Sequence, residues 1–275
     1  TRQKCLLYFI KGSQKCSRVK LAKVFFLMGQ EGKLNDNFKF YGFVPYKFGP
    51  YSFELFHDIE IMEHRKMLAT NENSIIYKGG GVKLPIRLFQ AVDYYINGPF
   101  RLNDSELMNR VYKKYPEYTI FSEIEKKKEY QRDRKGVYSL GYEGRSIDEF
   151  LMRLIQEKIQ VLADVRNKPW SMKFGFKKQV LQSFCNGLGI EYINLPELGI
   201  PGNLRKHLET KKDYDILFKR YKKFIKQKEN ELYNMMHISE KKRIALMCFE
   251  KDPEFCHRTI IARELARMGA EVDIG

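Results

Sequence analysis

RIALMCFEKDPEFCHRTIIARELARMG, residues 243–269, opens as an apolar run and breaks into Cys248, Glu250, Asp252, Cys256, His257 and Arg258. It then resumes with helical spacing over 258–268. An apolar strand that passes through a polar loop into a helix is the repeating unit of a parallel α/β sheet. The same cadence runs upstream. VYSLG (137–141) precedes a helix over 147–157, and IQVLADV (159–165) precedes one near 177–187. IEYINL (190–195) is followed by a charged helical insert near 212–235, and a fifth strand begins at EVDIG. Buried parallel strands read as near-continuous apolar runs, as these do. The expected class is α/β: a C-terminal Rossmann-like parallel-sheet domain over 137–275, with helices on both faces.

KKKEYQRDRKG, 126–136, is polar and lacks an apolar stripe, so it reads as a linker. Ahead of it, 1–125 reads as a smaller winged-helix-like α+β domain. Ser17 is placed to cap a helix through about Gly29, with Leu21, Val24, Phe25 and Met28 on one face. Gly49-Pro50 predicts a turn, and Ser52 a cap for a helix to about Met67. SIIYKGGGVKL predicts two short strands about a triple-glycine turn, the wing, and a further helix covers 104–114. Phe43, Tyr46 and Phe48 are expected to fill the core of this domain.

The chain holds 275 residues, enough for two ordinary domains, and 43% hydrophobic content supports buried cores. Its net charge is +16, with 25 Lys+Arg against 15 Asp+Glu in 1–135 and 25 against 19 in 136–275. That balance favours a polyanionic partner, DNA or RNA, or else a nucleotide or sugar phosphate. No apolar run approaches the ~20 residues of a membrane span, so no membrane partner is expected. No signal peptide is read in the sequence, although a start at Thr1 leaves room for a short piece ahead of it, and five cysteines in this length do not read as a disulfide framework. The expectation is a reduced, cytoplasmic protein.

Open α/β sheets bind ligands beyond the C-terminal ends of their strands. Four polar clusters should therefore meet along one edge. They are Tyr142, Glu143, Gly144 and Arg145; Asp164, Arg166, Asn167, Pro169, Trp170 and Ser171; Pro196, Glu197 and Gly199; and Cys248, Glu250, Cys256, His257 and Arg258. Arg145, Arg166 and Arg258 are planar donors suited to phosphate or carboxylate. The start of the last helix, with Cys256 and His257, adds N–H groups that favour an anion. Glu143, Asp164 and Glu250 are the candidate general acids or bases, and Tyr142 and Glu197 complete the ligand wall. The competing reading is an Arg–carboxylate network that only holds the loops. Trp170 is placed either to stack a base or to anchor its loop. Cys248 reads as a packed hydrophobe, and Cys256 reads as a thiol that the helix start and His257 can activate. A zinc site from Cys248, Cys256 and His257 lacks paired C-x₂₋₄-C spacing. No metal and no other cofactor is expected, a divalent ion being the lesser alternative. His207 and His237 should face solvent.

YSLGYEGRSIDEFLMRL, VLADVRNKPWSMKFGF, GIEYINLPELGIP and LMCFEKDPEFCHRTIIARELA, in this order, resemble the family named domain of unknown function 488 over 137–268. The resemblance implies the α/β fold and a pocket built from these strand-end residues, and implies no reaction. YGFVPYKFGPYSFELFHDI and VYKKYPEY resemble the SocA-like, phage-associated winged-helix family (domain of unknown function 4065) over about 1–120. That family's domain binds proteins as well as DNA, so a protein partner through the N-terminal domain is also implied. The function expected is a nucleic-acid-associated protein whose α/β domain binds, and as a hydrolase cleaves, a phosphate-bearing ligand. The alternative is a non-catalytic DNA-binding regulator, or a component of a defence or toxin system that senses a nucleotide.

Overall fold

The computed structural model describes residues 1–32, 34, 38–125, 130–205 and 208–274. The chain divides into two compact units, Thr1–Tyr130 and Gln131–Gly275. Residues 126–129 of the expected linker, and His207, lie outside the described residues.

The first unit runs α1 (Arg2–Ser13), β1 (Lys15–Ser17), α2 (Arg18–Gln30), β2 (Val44–Tyr46), β3 (Gly49–Tyr51), α3 (Phe53–His64), β4 (Leu68–Thr70), β5 (Ser74–Tyr77), α4 (Ile86–Asn97) and α5 (Asp104–Lys114). Strands β1, β5 and β4 form an antiparallel sheet in that spatial order. A helix, a strand, two helices and a hairpin that pairs back on the first strand follow one another in this unit. Ser17 caps α2 by accepting from the Lys20 amide, and Ser52 caps α3 by accepting from the Leu55 amide, both 3.1 Å. The wing is not where the glycines predict it. Its hairpin spans 68–77 and turns on Asn71, whose Oδ1 accepts from the Ser74 amide at 2.7 Å. Gly79–Gly81 follow the sheet as irregular chain. The Gly49-Pro50 turn is also displaced. Gly49 and Pro50 lie in β3, paired with Tyr46 and Pro45, and Lys47-Phe48 make the turn. Phe43 is buried as expected, Tyr46 is half-buried, and Phe48 at the hairpin tip is 45% exposed. Helix α3 ends at His64, short of Met67, because Lys66 takes φ 58°.

The second unit runs β6 (Gly136–Gly141), α6 (Ile147–Gln156), β7 (Val161–Asp164), α7 (Lys178–Gly187), β8 (Glu191–Asn194), α8 (Lys211–Ile225), α9 (Glu229–Ser239), β9 (Arg243–Cys248), α10 (Arg258–Arg267) and β10 (Val272–Ile274). All five strands are parallel, in spatial order β10-β6-β9-β7-β8. Strand β6 already contains Gly136, the last residue of the expected linker. The charged insert is two helices, α8 and α9. Val137, Val161, Ala163, Ile244 and Leu246 pack on one face of the sheet against Leu217, Tyr221, Met235, Ile261 and Leu265 of α8–α10. The alternate residues face the other way, where Arg153 of α6 donates to the Tyr138 hydroxyl at 2.9 Å. Because the strands are parallel, their C-terminal ends lie at one edge. Among the described residues, no helix is long and apolar enough to cross a membrane.

Candidate functional site

Beyond the C-terminal ends of β6, β7 and β9 lies a cavity of about 340 Å³. Tyr142, Arg166, Lys168, Trp170, Arg205 and Glu250 are among its lining residues. Two close approaches shape this edge. A Cβ on Gly141 would meet the Glu250 carbonyl oxygen at 1.9 Å, and one on Gly199 would meet the Asn167 amide nitrogen at 2.1 Å. Only glycine lets the β6 turn lie against the 250–251 backbone, and the 199 turn against 167.

Asp164 is fully buried at the end of β7 and acts as a clamp. One carboxylate oxygen accepts from the Arg166 amide (3.1 Å) and Nε (2.8 Å); the other accepts from Arg166 Nη2 (2.6 Å) and the Tyr192 hydroxyl (2.7 Å). Arg166 Nη1 donates onward to the Tyr142 hydroxyl at 3.0 Å. Burial alone would push the Arg166 pKa down, but its bonds to Asp164 raise it, so the guanidinium stays charged. The same carboxylate, together with burial, pushes the Tyr192 phenol up. The Tyr142 ring stacks on Phe176 at 4.2 Å and meets the edge of Phe249 at 5.3 Å. An Asp164 that accepts four hydrogen bonds is a positioning group rather than a general base.

The 248–258 segment is organised around a second set of contacts. Arg258 was expected to hold a phosphate, and the structure corrects that. It has no exposed surface, and its guanidinium donates to Ser139 Oγ (2.9 Å) and to the carbonyls of Glu250 and Lys251 (3.1 Å for the latter). It braces the loop against β6 from within. Glu250 Oε2 accepts from both thiols, Cys248 at 3.1 Å and Cys256 at 3.0 Å. Arg205 Nη1 stands 3.9 Å from Oε1 of the same carboxylate. Burial would raise the Glu250 pKa, but the two thiol bonds and Arg205 hold it below the ordinary carboxylate value. Burial and the neighbouring Cys248 push the Cys256 thiol well up, the reverse of what a helix start and His257 could do. Cys256 begins no exposed helix end; it is 1% exposed. His257 Nε2 lies 3.0 Å from the Val165 carbonyl, and its Nδ1 faces Cys248 Sγ at 3.7 Å. Cys248 is packed at the end of β9, as expected, with its sulfur turned into this cluster.

Of the residues expected at the edge, Tyr142, Arg166, Asn167, Trp170, Ser171 and Glu250 line the cavity. Trp170 is 64% exposed, which removes the packed-anchor reading. His257 lines an adjoining cavity of about 240 Å³ that shares Arg205 and Glu250. The remaining residues do not line the main cavity. Glu143 is exposed, and its carboxylate accepts from the Lys251 amide at 2.9 Å. Arg145 Nε turns back to the Gly141 carbonyl at 3.3 Å. Glu197 sits half-buried in a 3-10 turn after β8. Lys168, Arg205 and Phe249 line the cavity without having been expected there. Lys168 lies within the polar run that follows β7, whereas Arg205 comes from a 3-10 turn, Gly202–Arg205, that no strand end announces. His237 is exposed on α9, as expected.

Comparison with curated proteins gave no match, and neither did comparison with solved structures. Residues 146–265, from the cap of α6 into α10, match the family described as Domain of unknown function DUF488.

Proposed function

We propose that the α/β unit binds a phosphate-bearing ligand, a nucleotide or a nucleic-acid segment, in the 340 Å³ cavity. The observation that carries this reading is the convergence of Arg166, Lys168 and Arg205 on one cavity beside the exposed Trp170 and Phe249. Cations supply charge-assisted donors to phosphate, and exposed rings offer faces to a base. Arg166 is a strong part of this wall because Asp164 fixes its orientation and holds its charge.

Binding without hydrolysis is the favoured form. Asp164 is consumed by its clamp, and Glu143 is exposed away from the cavity, with one oxygen accepting from the Lys251 amide. Glu250 is the acid among the described lining residues, and one of its oxygens is committed to the two thiols. The net charge of +16 supports a nucleic-acid partner. The winged-helix unit favours a different role. Its α3 occupies the position that reads bases in such folds, yet it carries Glu54, Asp58, Glu60 and Glu63 and no Lys or Arg. An acidic helix repels phosphate, so we assign this unit to a protein partner. That use agrees with its resemblance to the SocA-like family.

Trp170 is the single tryptophan of the chain, so its fluorescence reports the cavity directly. Titration with mononucleotides and short single strands should quench it, with affinity that falls as salt rises. Arg166→Lys and Arg205→Ala should each weaken binding. No quenching by any of these ligands, or unchanged affinity in both variants, would overturn the reading. Cleavage or phosphate release during the titration would add turnover, which Glu250→Gln should then abolish.

A further inference from the structure

We propose that Cys248, Glu250, Cys256 and His257 form a four-donor site for a divalent metal ion of the zinc class. The donor atoms, two sulfurs, one imidazole nitrogen and one carboxylate oxygen, all lie within 4.8 Å of one another. Zinc holds such donors at about 2.0–2.3 Å in a tetrahedron, whose edges are then about 3.3–3.8 Å. The recorded separations are 3.0 Å (Cys256–Glu250), 3.1 Å (Cys248–Glu250) and 3.7 Å (Cys248–His257). These three lie within a few tenths of an ångström of such edges, and with every pair inside 4.8 Å, side-chain shifts of up to about 1 Å would bring the set to that shape. Two thiolates, an imidazole and a carboxylate are the mixed soft and borderline donors that zinc takes.

The second observation is the orientation of His257. The Val165 carbonyl can only accept, so Nε2 carries the proton and Nδ1 presents its lone pair to the cluster. Metal-binding histidines are held in this way by a backbone carbonyl. The scaffold around the donors is fixed as well. Cys248 ends β9, Cys256 closes the 3-10 turn Pro253–Phe255, and His257 immediately precedes α10. Arg258 pins the intervening loop through the carbonyls of Glu250 and Lys251.

Charge and protons balance. Loading M²⁺ releases the two thiol protons to solvent and leaves two thiolates, one carboxylate and the dication, a net charge of −1 on the site. Arg205, 3.9 Å from Glu250, offsets that charge from outside. Without an ion, two buried thiols share one carboxylate oxygen, and thiols are weak donors. Four protein donors fill a tetrahedron, so the ion would hold the β9–α10 loop in shape rather than activate water. Glu250 and Arg205 also line the ligand cavity, but the metal proposal does not rest on the ligand-binding reading, and its test requires no nucleotide.

The test uses the full chain, purified under reducing conditions, stripped with chelator and titrated with Co²⁺ alone and then Zn²⁺. One Co²⁺ per chain should bind and give sulfur-to-metal charge transfer together with the strong visible bands of tetrahedral cobalt. Zn²⁺ should bleach both. Cys256→Ser should lose most of the charge transfer, whereas Cys185→Ser, a buried cysteine on α7, should keep all of it. Glu250→Gln is half-exposed enough to fold if Cys256→Ser does not, and should weaken Zn²⁺ binding about ten-fold or more. The proposal is overturned if Co²⁺ added to the stripped protein gives no sulfur-to-metal charge transfer. It is equally overturned if binding is undiminished in both Glu250→Gln and Cys256→Ser, or if the reduced preparation carries a Cys248–Cys256 disulfide.

Discussion

Each unit buries a cation, and the two satisfy it in opposite ways. In the first, Lys23 of α2 is 1% exposed and donates to the carbonyls of Phe48 and Pro50. Neutral acceptors do not repay the cost of burying a charge, so burial pushes the Lys23 pKa down to about 7. In the second, Arg166 donates to a buried carboxylate and keeps its charge at any working pH. The second unit thus spends a buried acid to keep a permanent cation at its cavity. The first buries an amine it can deprotonate, and that amine lines a cavity of its own beside Arg18 and Lys47. The 248–257 cluster is a third case, a carboxylate that accepts from two thiols and has the Arg205 guanidinium 3.9 Å away.

Removing the acid from the clamp should have the largest effect. Asp164→Ala leaves Arg166 buried without its counter-charge, and the expected loss is about 3–5 kcal/mol, read from urea unfolding. A loss below about 1 kcal/mol would mean that the pair does not carry the edge of the sheet. Next is Gly141→Ala, whose new Cβ would stand 1.9 Å from the Glu250 carbonyl. The backbone must move, at about 1–3 kcal/mol for overpacking, and the move displaces the loop that carries Glu250. If the metal proposal holds, this variant should also bind Co²⁺ more weakly than the wild type.

These two residues also show how far the sequence could be read. All five parallel strands and the caps at Ser17 and Ser52 follow from apolar runs and capping residues, because those signals are local. The helices α1 and α4 fall outside that reading, although Leu88, Val92, Tyr95 and Ile96 of α4 have the spacing of a buried helix face. At the site, position along the chain predicts which loops meet, but not which way a side chain turns. Arg258 follows a strand and opens a helix, as a phosphate ligand would, yet it runs inward to Ser139. A serine inside the apolar run VYSLG was the signal for that inward partner. The sequence weighs Cys248, Cys256 and His257 as a zinc set against the missing paired-cysteine spacing, and reads Glu250 only as an acid. The strand-end geometry that joins them is a tertiary property.

The Lys23 comparison gives the pH dependence. Its folded-state pKa is about 7, against 10.5 for the unfolded chain. Between those values the unfolded chain holds a proton that the folded chain lacks, so stability rises with pH across that window. Below pH 7 both states are charged, and the burial cost is fully felt. One proton sets a ceiling of about 1.4 kcal/mol per pH unit on the slope. Urea midpoints between pH 7 and 9.5 should climb in the wild type and flatten in Lys23→Met. An unchanged slope in the variant would place the titration elsewhere.

The smallest effect on stability should come from Arg205→Ala, and that makes it the sharpest probe of function. Arg205 sits in a 3-10 turn with a third of its side chain exposed, and its recorded ion-pair contact is the 3.9 Å approach to Glu250. Surface-proximal pairs of this length contribute little, so stability should change by no more than about 0.5 kcal/mol. Ligand binding should respond differently, because Arg205 is one of the cations that line both cavities. Removing it should weaken Trp170 quenching by an anionic ligand and make the salt dependence shallower, since one fewer cation meets phosphate. Arg166→Lys should reduce affinity as well, but it also breaks the fork that grips Asp164. Equal losses of stability in the two variants would erase the distinction between a clamp arginine and a ligand arginine. A stable Arg205→Ala with impaired quenching would assign the cavity its ligand without disturbing the scaffold that builds it.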